Sequence, residues 1–300
     1  MKGEQSIEML CEVLGVSRSG YYRWDQHRTT RRQSEDAVLS ERIMAAHRHG
    51  RGTYGAPRIV EELRAEGIRI SKRRCARLMK SKGLRGCKKH RRRPKTTDSA
   101  HVHPPAANLL AQRAAPNGPD QVWITDITYV QTAEGWLYLA AILDAWSRRV
   151  VGWACSTTLH VSLVLAALAR ATRNRLPPPG LVHHSDRGVQ YACGEYRAAL
   201  TSARMVCSMS RKANCYDNAS MESFWSTLKT ETGIDEAVPM SRRAAELIIF
   251  DYIETFYNPT RRHSSLGYLS PVALSKSKSG LNRGLLFRGK PNHEILPAPS

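Results

Sequence analysis

The sequence predicts an α/β protein in which a mixed sheet flanked by helices follows small all-α helix-turn-helix modules. Three observations predict it. Up to about residue 90, apolar positions recur at helical spacing between capping residues and glycines, in a segment rich in Lys and Arg. From residue 121, three β-type runs follow one another with short connections: QVWITDITYV, WLYLAAILDAW and RRVVGWACSTT. Beyond them, amphipathic helices alternate with short apolar runs.

Composition bounds the partners. A chain of 300 residues allows two or three domains and an ample core. A formal charge of +20 favours a polyanionic partner, and the excess is concentrated in front: residues 1–100 hold 25 Lys and Arg against 11 Asp and Glu. Seven scattered cysteines without a CxxC pair argue for reduced thiols in a cytosol rather than a disulfide framework or zinc ribbon. No apolar run reaches the roughly 18–20 residues of a membrane span, and MKGEQSIEML has no secretory h-region. A cytoplasmic protein bound to nucleic acid, with no membrane partner, is the expectation.

Residues 1–50 form a first helical segment. In SIEMLCEVLGVSRSGYYRWD, Ile7, Leu10, Cys11 and Leu14 make one stripe, Gly15 breaks the helix and Ser17 can cap the next. Arg18 and Arg23, interleaved with Tyr21, Tyr22 and Trp24, are candidate DNA contacts; a hairpin packed on its own aromatics is the alternative. Residues 51–90 form a second, more basic helix-turn-helix. Pro57 suits a first helical turn, Ile59, Val60 and Leu63 face inward, and Gly67 ends that helix. Ser71 caps the next, where Cys75, Leu78 and Met79 face inward while Lys72, Arg73, Arg74, Arg77, Lys80 and Lys82 stay outside. That helix carries more charge than solubility needs, so phosphate contact is expected of Lys72, Arg73, Arg74 and Arg77.

A basic Pro/Ala-rich linker is expected over 91–118, entered through KKHRRRPK; His101 and His103 lack a cysteine pair that would complete a zinc set. The mixed sheet and its helices occupy 119–235, a C-terminal helix and turn 236–275, and a Ser/Gly/Pro-rich flexible tail 276–300.

Three carboxylates stand out in the second half. Asp126 lies in mid-strand, sharing a face with Val122, Ile124, Thr128 and Val130, while Trp123, Thr125, Ile127 and Tyr129 cover the other face. An ionised carboxylate there is costly unless a cation or hydrogen bonds compensate it. Asp186, in SDRG after a short apolar strand, is by itself an ordinary turn residue, raised only by its place at a strand end. Glu222 flanks the stripe Met221, Phe224, Trp225 and Leu228, on the side shared with Asn218 and Lys229, and Lys229 is a candidate for an adjacent phosphate. Three hard oxygen ligands fit Mg²⁺ or Mn²⁺ better than zinc. Two such ions about 3.5–4 Å apart would serve in-line phosphoryl displacement.

At these residues the chain resembles the bacterial insertion-sequence transposases of the IS-three group, in the second reading-frame product. The resemblance rests on LGVSRSGYYRW, YGAPRIVEEL, VWITDITYV, LDAWSRRVVGW, HHSDRGVQY, CYDNASMESFWSTLKTE and YIETFYNPTRRHSSLGYLSP, in that order. It implies a ribonuclease-H-like, integrase-type core, a DDE triad on Asp126, Asp186 and Glu222 with Lys229 seven residues on, magnesium, cleavage at the element's ends, and strand transfer. It also implies double-stranded DNA as partner, both element ends and target, with a homo-oligomer on DNA. The first reading-frame product, or a fusion to it, is a further implied partner, since no sustained heptad occurs here. Tyr257, Asn258, Arg261, His263 and Gly267 match the family pattern; Arg261 and His263 are open between DNA contact and a helix-terminating turn. Ala213 departs from the usual Gly, and the tail matches nothing in the family. A catalytically idle DNA-binding regulator and a ribonuclease-H-like nuclease are the competing functions.

Overall fold

The computed structural model describes residues 6–25, 29–87, 106–111, 113–211, 218–235 and 240–276. Most of the basic linker, with His101 and His103, the loop holding Ala213, and all but Lys276 of the tail lie outside them. The chain divides into two compact units, Met1–Gly86 and Cys87–Ser300. No helix among the described residues is long and apolar enough to cross a membrane. None of the six described cysteines is in a disulfide.

In the first unit, α1 (Ile7–Val13) starts on Ser6, whose hydroxyl accepts from Met9 N–H, and gives way at Gly15, which takes φ +62°. Ser17 then accepts from Gly20 N–H at the start of α2 (Arg18–Asp25). Only Cys11 of this hairpin is buried; Tyr21 packs on Tyr22 and Trp24, and Trp24 remains exposed. A long helix follows, α3 (Arg31–His49), begun by a reciprocal capping box between Thr30 and Gln33. Helix α3 packs on α4 (Ala56–Ala65) and α5 (Lys72–Ser81), with Ile43, Ala46, Ile59, Leu63, Cys75 and Leu78 as their buried interior. The caps of α4 and α5 are as expected, with Pro57 in the first turn of one and Ser71 accepting from Arg74 N–H in the other.

The second unit is built on a five-stranded sheet in the order β3-β2-β1-β4-β5. Strands β1 (Val122–Thr132), β2 (Gly135–Asp144) and β3 (Val150–Ser156) are antiparallel neighbours, as their short connections require. Asp144 builds the β2–β3 corner, its carboxylate accepting from Ser147 N–H and Oγ–H and from Asp120 N–H. The chain then crosses through α6 (Val161–Arg175) to β4 (Val182–Ser185), which lies parallel to β1. Leu163, Val164, Ala167, Leu168 and Ala171 of α6 are buried on the sheet. Gly152 permits this approach, for a Cβ there would stand 2.4 Å from Ala167 O. Short α7 (Val189–Ala192) and α8 (Gly194–Ser202) lead to β5 (Val206–Met209), parallel to β4. The outer side of β5 is covered by part of the expected linker: Met209 N–H donates to Ala107 O and Leu109 N–H to Ser208 Oγ.

Helix α9 (Ala219–Thr232) buries Met221, Phe224, Trp225 and Leu228, the stripe its spacing predicts. It is followed by α10 (Arg242–Phe250), a π-helical turn over Asp251–Tyr257, a 3₁₀ turn over Ser264–Leu266, and α11 (Pro271–Lys276). The YNPTRRHSSLGY stretch in this region does structural work. Asn258 stands in for a missing strand: its side chain accepts from Val150 N–H and donates to Val150 O on the edge of β3. Arg261 is 3% exposed and makes a two-pronged ion pair with Glu231 at 2.6 and 2.7 Å, while Tyr252 Oη–H donates to the same carboxylate. Burial opposes the guanidinium's charge, but the Glu231 carboxylate outweighs it and holds the Arg261 pKa above its ordinary value. With Nε and Nη2 on Glu231 and Nη1 beside His263, the Arg261 guanidinium is engaged within the turn. His263 sits half-buried with its ring 4.9 Å from Tyr257, bridging to Leu269.

Breaking a buried pair strands its partner's charge. Arg261→Ala is therefore expected to lower unfolding free energy by about 3–5 kcal/mol with no DNA present; a change under about 1 kcal/mol in urea unfolding would contradict this account.

Candidate active site

The site begins with strand register. Val122, Trp123 and Ile124 pair with Val182, His183 and His184, so β1 and β4 are in step at an offset of sixty residues. Asp126 and Asp186 stand at the same offset, two residues past the last pair, where β4 has ended and β1 continues. Neighbouring strands are roughly 4.8 Å apart, which carries both carboxylates to the crevice at the C-terminal ends of the parallel pair.

Burial changes at that point. Val122 to Thr125 are buried, whereas Asp126 to Tyr129 are half-buried. Side-chain alternation predicts a strand covered on both faces throughout, whereas the second half of β1 runs past the end of β4 and is half-buried over Asp126 to Tyr129. Beneath the acids, Thr125 Oγ1–H donates to Ala141 O and lies 3.2 Å from the Tyr191 hydroxyl. His183 and His184 are buried in β4, contacting Tyr196 Oη and Ser208 Oγ respectively. Loss of solvent pushes the His183 pKa down to about 3, so this imidazole is neutral.

Asp186 keeps its turn geometry as well: its Oδ1 accepts from Gly188 N–H at 2.9 Å. Glu222 is exposed in the first turn of α9, where the helix dipole favours a carboxylate. Trp225, three residues on, donates its indole N–H to Asp126 Oδ2 at 3.0 Å. The periodicity marked Trp225 as a core residue, which it is; nothing in its spacing signals which way the N–H points.

The electrostatics agree with this arrangement. The Asp126 carboxyl is pushed up to about 7, first by loss of solvent and next by the charge of Asp186, with a smaller push from Glu222; the Trp225 and Ile127 N–H groups act the other way. Two of the acids therefore sense each other strongly and the third more weakly. Among the described residues no group of three or more His, Cys, Asp or Glu side chains is gathered at metal-holding distance. The donor set is nevertheless that of a hard divalent ion: carboxylate oxygens, one of them held half-buried beside a like charge.

The cations expected on DNA fall into two sets. Lys229 Nζ donates to Tyr129 O at 2.9 Å, pairs with Asp235 at 3.0 Å and lies over the Tyr129 ring. It thus ties α9 to β1 instead of projecting outward, because a carbonyl, a carboxylate and an aromatic face converge on its ammonium. In the first unit, Arg74 and Arg77 both hold Asp36 of α3, at 2.8 and 2.6 Å, and Arg18 pairs with Glu8. The Arg77 and Arg74 hydrogen bonds keep the Asp36 pKa below its usual value. Arg23, Lys72 and Arg73 have no ion pair among the described residues.

A carboxyl with a raised folded pKa contributes stability below its unfolded value near 3.8, and that contribution is lost as pH rises through about 7. In chelator, Asp126→Asn is thus expected to gain stability over the natural chain as pH climbs from about 4 to 8, with the difference constant below that range. Urea unfolding at each pH measures it; a difference that stays flat throughout would refute the assignment.

Comparison with known proteins follows the same division of the chain. Residues 116–215 and 203–271 match the family described as Integrase core domain, and residues 33–93 the HTH-like domain. The chain is 48% identical over 264 residues to the "Insertion element IS600 uncharacterized 31 kDa protein" of Shigella sonnei, covering 88% of this chain and 96% of that one. It is 42% identical over 273 residues to "Transposase InsF for insertion sequence IS3A" of Escherichia coli strain K12, covering 90% and 94%. Among solved structures it is similar to a simian T-cell lymphotropic virus intasome in complex with PP2A regulatory subunit B56 gamma, with TM-score 0.45, 17% identity, and 73% and 70% of the two chains covered. It is also similar to the HTLV-2 integrase catalytic core domain in complex with magnesium, with TM-score 0.41, 15% identity, and 53% and 98% covered.

Proposed function

We propose, from the premise that this chain belongs to the insertion-sequence transposases of the IS3 group with an integrase core, that it cuts the 3′ ends of its element and joins them to target DNA through Asp126, Asp186 and Glu222. The observation that carries the reading is the sixty-residue register that sets Asp126 level with Asp186 at the open end of the parallel pair. Glu222 would complete the set from the first turn of α9, its carboxylate lying on the helix that Trp225 joins to Asp126.

These three acids would hold divalent magnesium or manganese, in two ions for a two-metal mechanism. Held by these residues, such ions would supply activation of the attacking oxygen and charge neutralisation at the leaving one. In the first step water opens a phosphodiester at the element's end, leaving a 3′-hydroxyl and a 5′-phosphate. In the second that hydroxyl attacks a target phosphate, and the target's own 3′-oxygen leaves with a proton. Asp126, held by the Trp225 N–H, and Asp186, held by the Gly188 N–H, would serve as preset ligands.

Both DNA segments would be held by the helical first unit, on Arg23, Lys72 and Arg73. A homo-oligomer on DNA, and the upstream-frame product or a fusion to it, complete the proposed assembly, because two ends have to meet.

Asp126→Asn, Asp186→Asn and Glu222→Gln should each reduce Mg²⁺-dependent cleavage and joining of element-end DNA to background, with DNA affinity kept within about threefold, since no phosphate contact is removed. Joining undiminished in any one variant removes that acid from the site. A footprint on the ends without nicking by the natural chain in Mg²⁺ or Mn²⁺ would establish the regulator instead. The paired change Lys72→Ala with Arg73→Ala should weaken binding alike on all DNA sequences and flatten the salt dependence by about one unit of slope per lost phosphate contact. An unaltered salt slope would take α5 off the DNA.

A further inference from the structure

Trp225 does more than fill the buried stripe. Its side chain is 7% exposed, its ring centroid lies 4.8 Å from that of Phe224, and Phe224 in turn packs against Tyr257 at 4.9 Å. The indole is thereby denied other orientations, and its N–H is committed to Asp126 Oδ2 at 3.0 Å. Glu222 lies one turn earlier on the same helix, at the i, i+3 spacing that makes side chains neighbours. One helix therefore supplies both an acid and the donor that holds another acid.

We propose that Trp225 is a positioning residue of the triad: its N–H fixes the Asp126 carboxylate in the orientation that receives a divalent cation, and ties the helix of Glu222 to the strand of Asp126. This rests on the reading of the three acids as a metal site. A carboxylate has two oxygens and about four acceptor positions, so the Trp225 and Ile127 N–H groups still leave acceptor positions for an ion. Without the Trp225 donor the terminal torsion of an aspartate is broad and roughly two-fold, and the carboxylate would have to be ordered when the ion arrives. Asp186 has the matching device, a backbone donor from Gly188 on Oδ1. Each aspartate is thus oriented by a fixed N–H donor.

The test is manganese binding by the full chain, followed through the electron-spin signal of free Mn²⁺. Trp225→Phe keeps an aromatic ring and loses the N–H; it is expected to weaken Mn²⁺ binding about 10–100-fold, the usual effect of losing a hydrogen bond behind a ligand. Its joining rate should recover to within about threefold of the natural rate at saturating Mn²⁺, because an orienting group acts on metal occupancy. Trp153→Phe, which loses an indole N–H to Glu254 away from the acids, should bind Mn²⁺ as the natural chain does. Should Trp225→Phe not fold, the ¹⁵N indole spectrum of the natural chain decides: the Trp225 resonance must move on Asp126→Asn. Mn²⁺ affinity unchanged in Trp225→Phe, or an indole resonance indifferent to Asp126→Asn, overturns the proposal alone. No Mn²⁺ binding by the natural chain overturns the metal-site reading and this inference with it.

Discussion

The parallel pairing of β1 and β4 is the constraint on which the rest of the core depends. Its offset of sixty residues fixes which side chain of one strand meets which of the other, and a slip of one residue would turn Asp126 to the opposite face. That register is held at a distance from the acids. The crossover through α6 brings β4 beside β1, and α6 can lie close only because Gly152 leaves room for Ala167 and Ala171. Each fully buried Leu or Val of α6 contributes about 1.5–3 kcal/mol to keeping it there. Apolar burial on one side of the sheet thus sets the spacing of charges at its end.

Holding those charges close has an electrostatic cost that the protein only partly offsets. Loss of solvent and the neighbouring Asp186 both disfavour ionised Asp126, while two N–H donors oppose them without cancelling them. The resulting carboxyl titrates near neutrality, a state that a hard divalent cation relieves more fully than hydrogen bonds can. Elsewhere acids meet a cation together with a neutral donor: Glu231 meets Arg261 and Tyr252, and Asp120 meets Arg175 and the indole of Trp123. Asp126, by contrast, meets N–H donors and the like charge of Asp186.

Helix ends, stripes and strand order were legible because they depend on residues near one another in the chain. Ser6, Ser17 and Ser71 cap helices, and Met221, Phe224, Trp225 and Leu228 face inward, as local spacing predicts. Charges were not legible in the same way. Arg74 and Arg77 meet Asp36 from 38 and 41 residues away, and Arg261 meets Glu231 from 30, so their partners lie beyond any local pattern. Among the acids, Asp126 could be weighed from its strand, but Asp186 looked like a turn residue and is one. Only the pairing of β1 with β4 sets it level with Asp126, and a register of that kind is a tertiary fact.

The same sorting of charge bears on how DNA would be held. In the second unit several cations are used internally: Lys229 on Tyr129 and Asp235, Arg261 on Glu231, Arg175 on Asp120. These three cations tie elements of the second unit together and carry little free charge. In the first unit Arg74 and Arg77 are spent on Asp36, yet Lys72 and Arg73, in the first turn of the same helix, have no ion pair among the described residues. A ten-residue helix is about 15 Å long, enough to lie in a major groove while α3 and α4 bury its other face. Strand register would then govern the chemistry, and the residual charge of α5 the grip on DNA, each secured by contacts within its own unit.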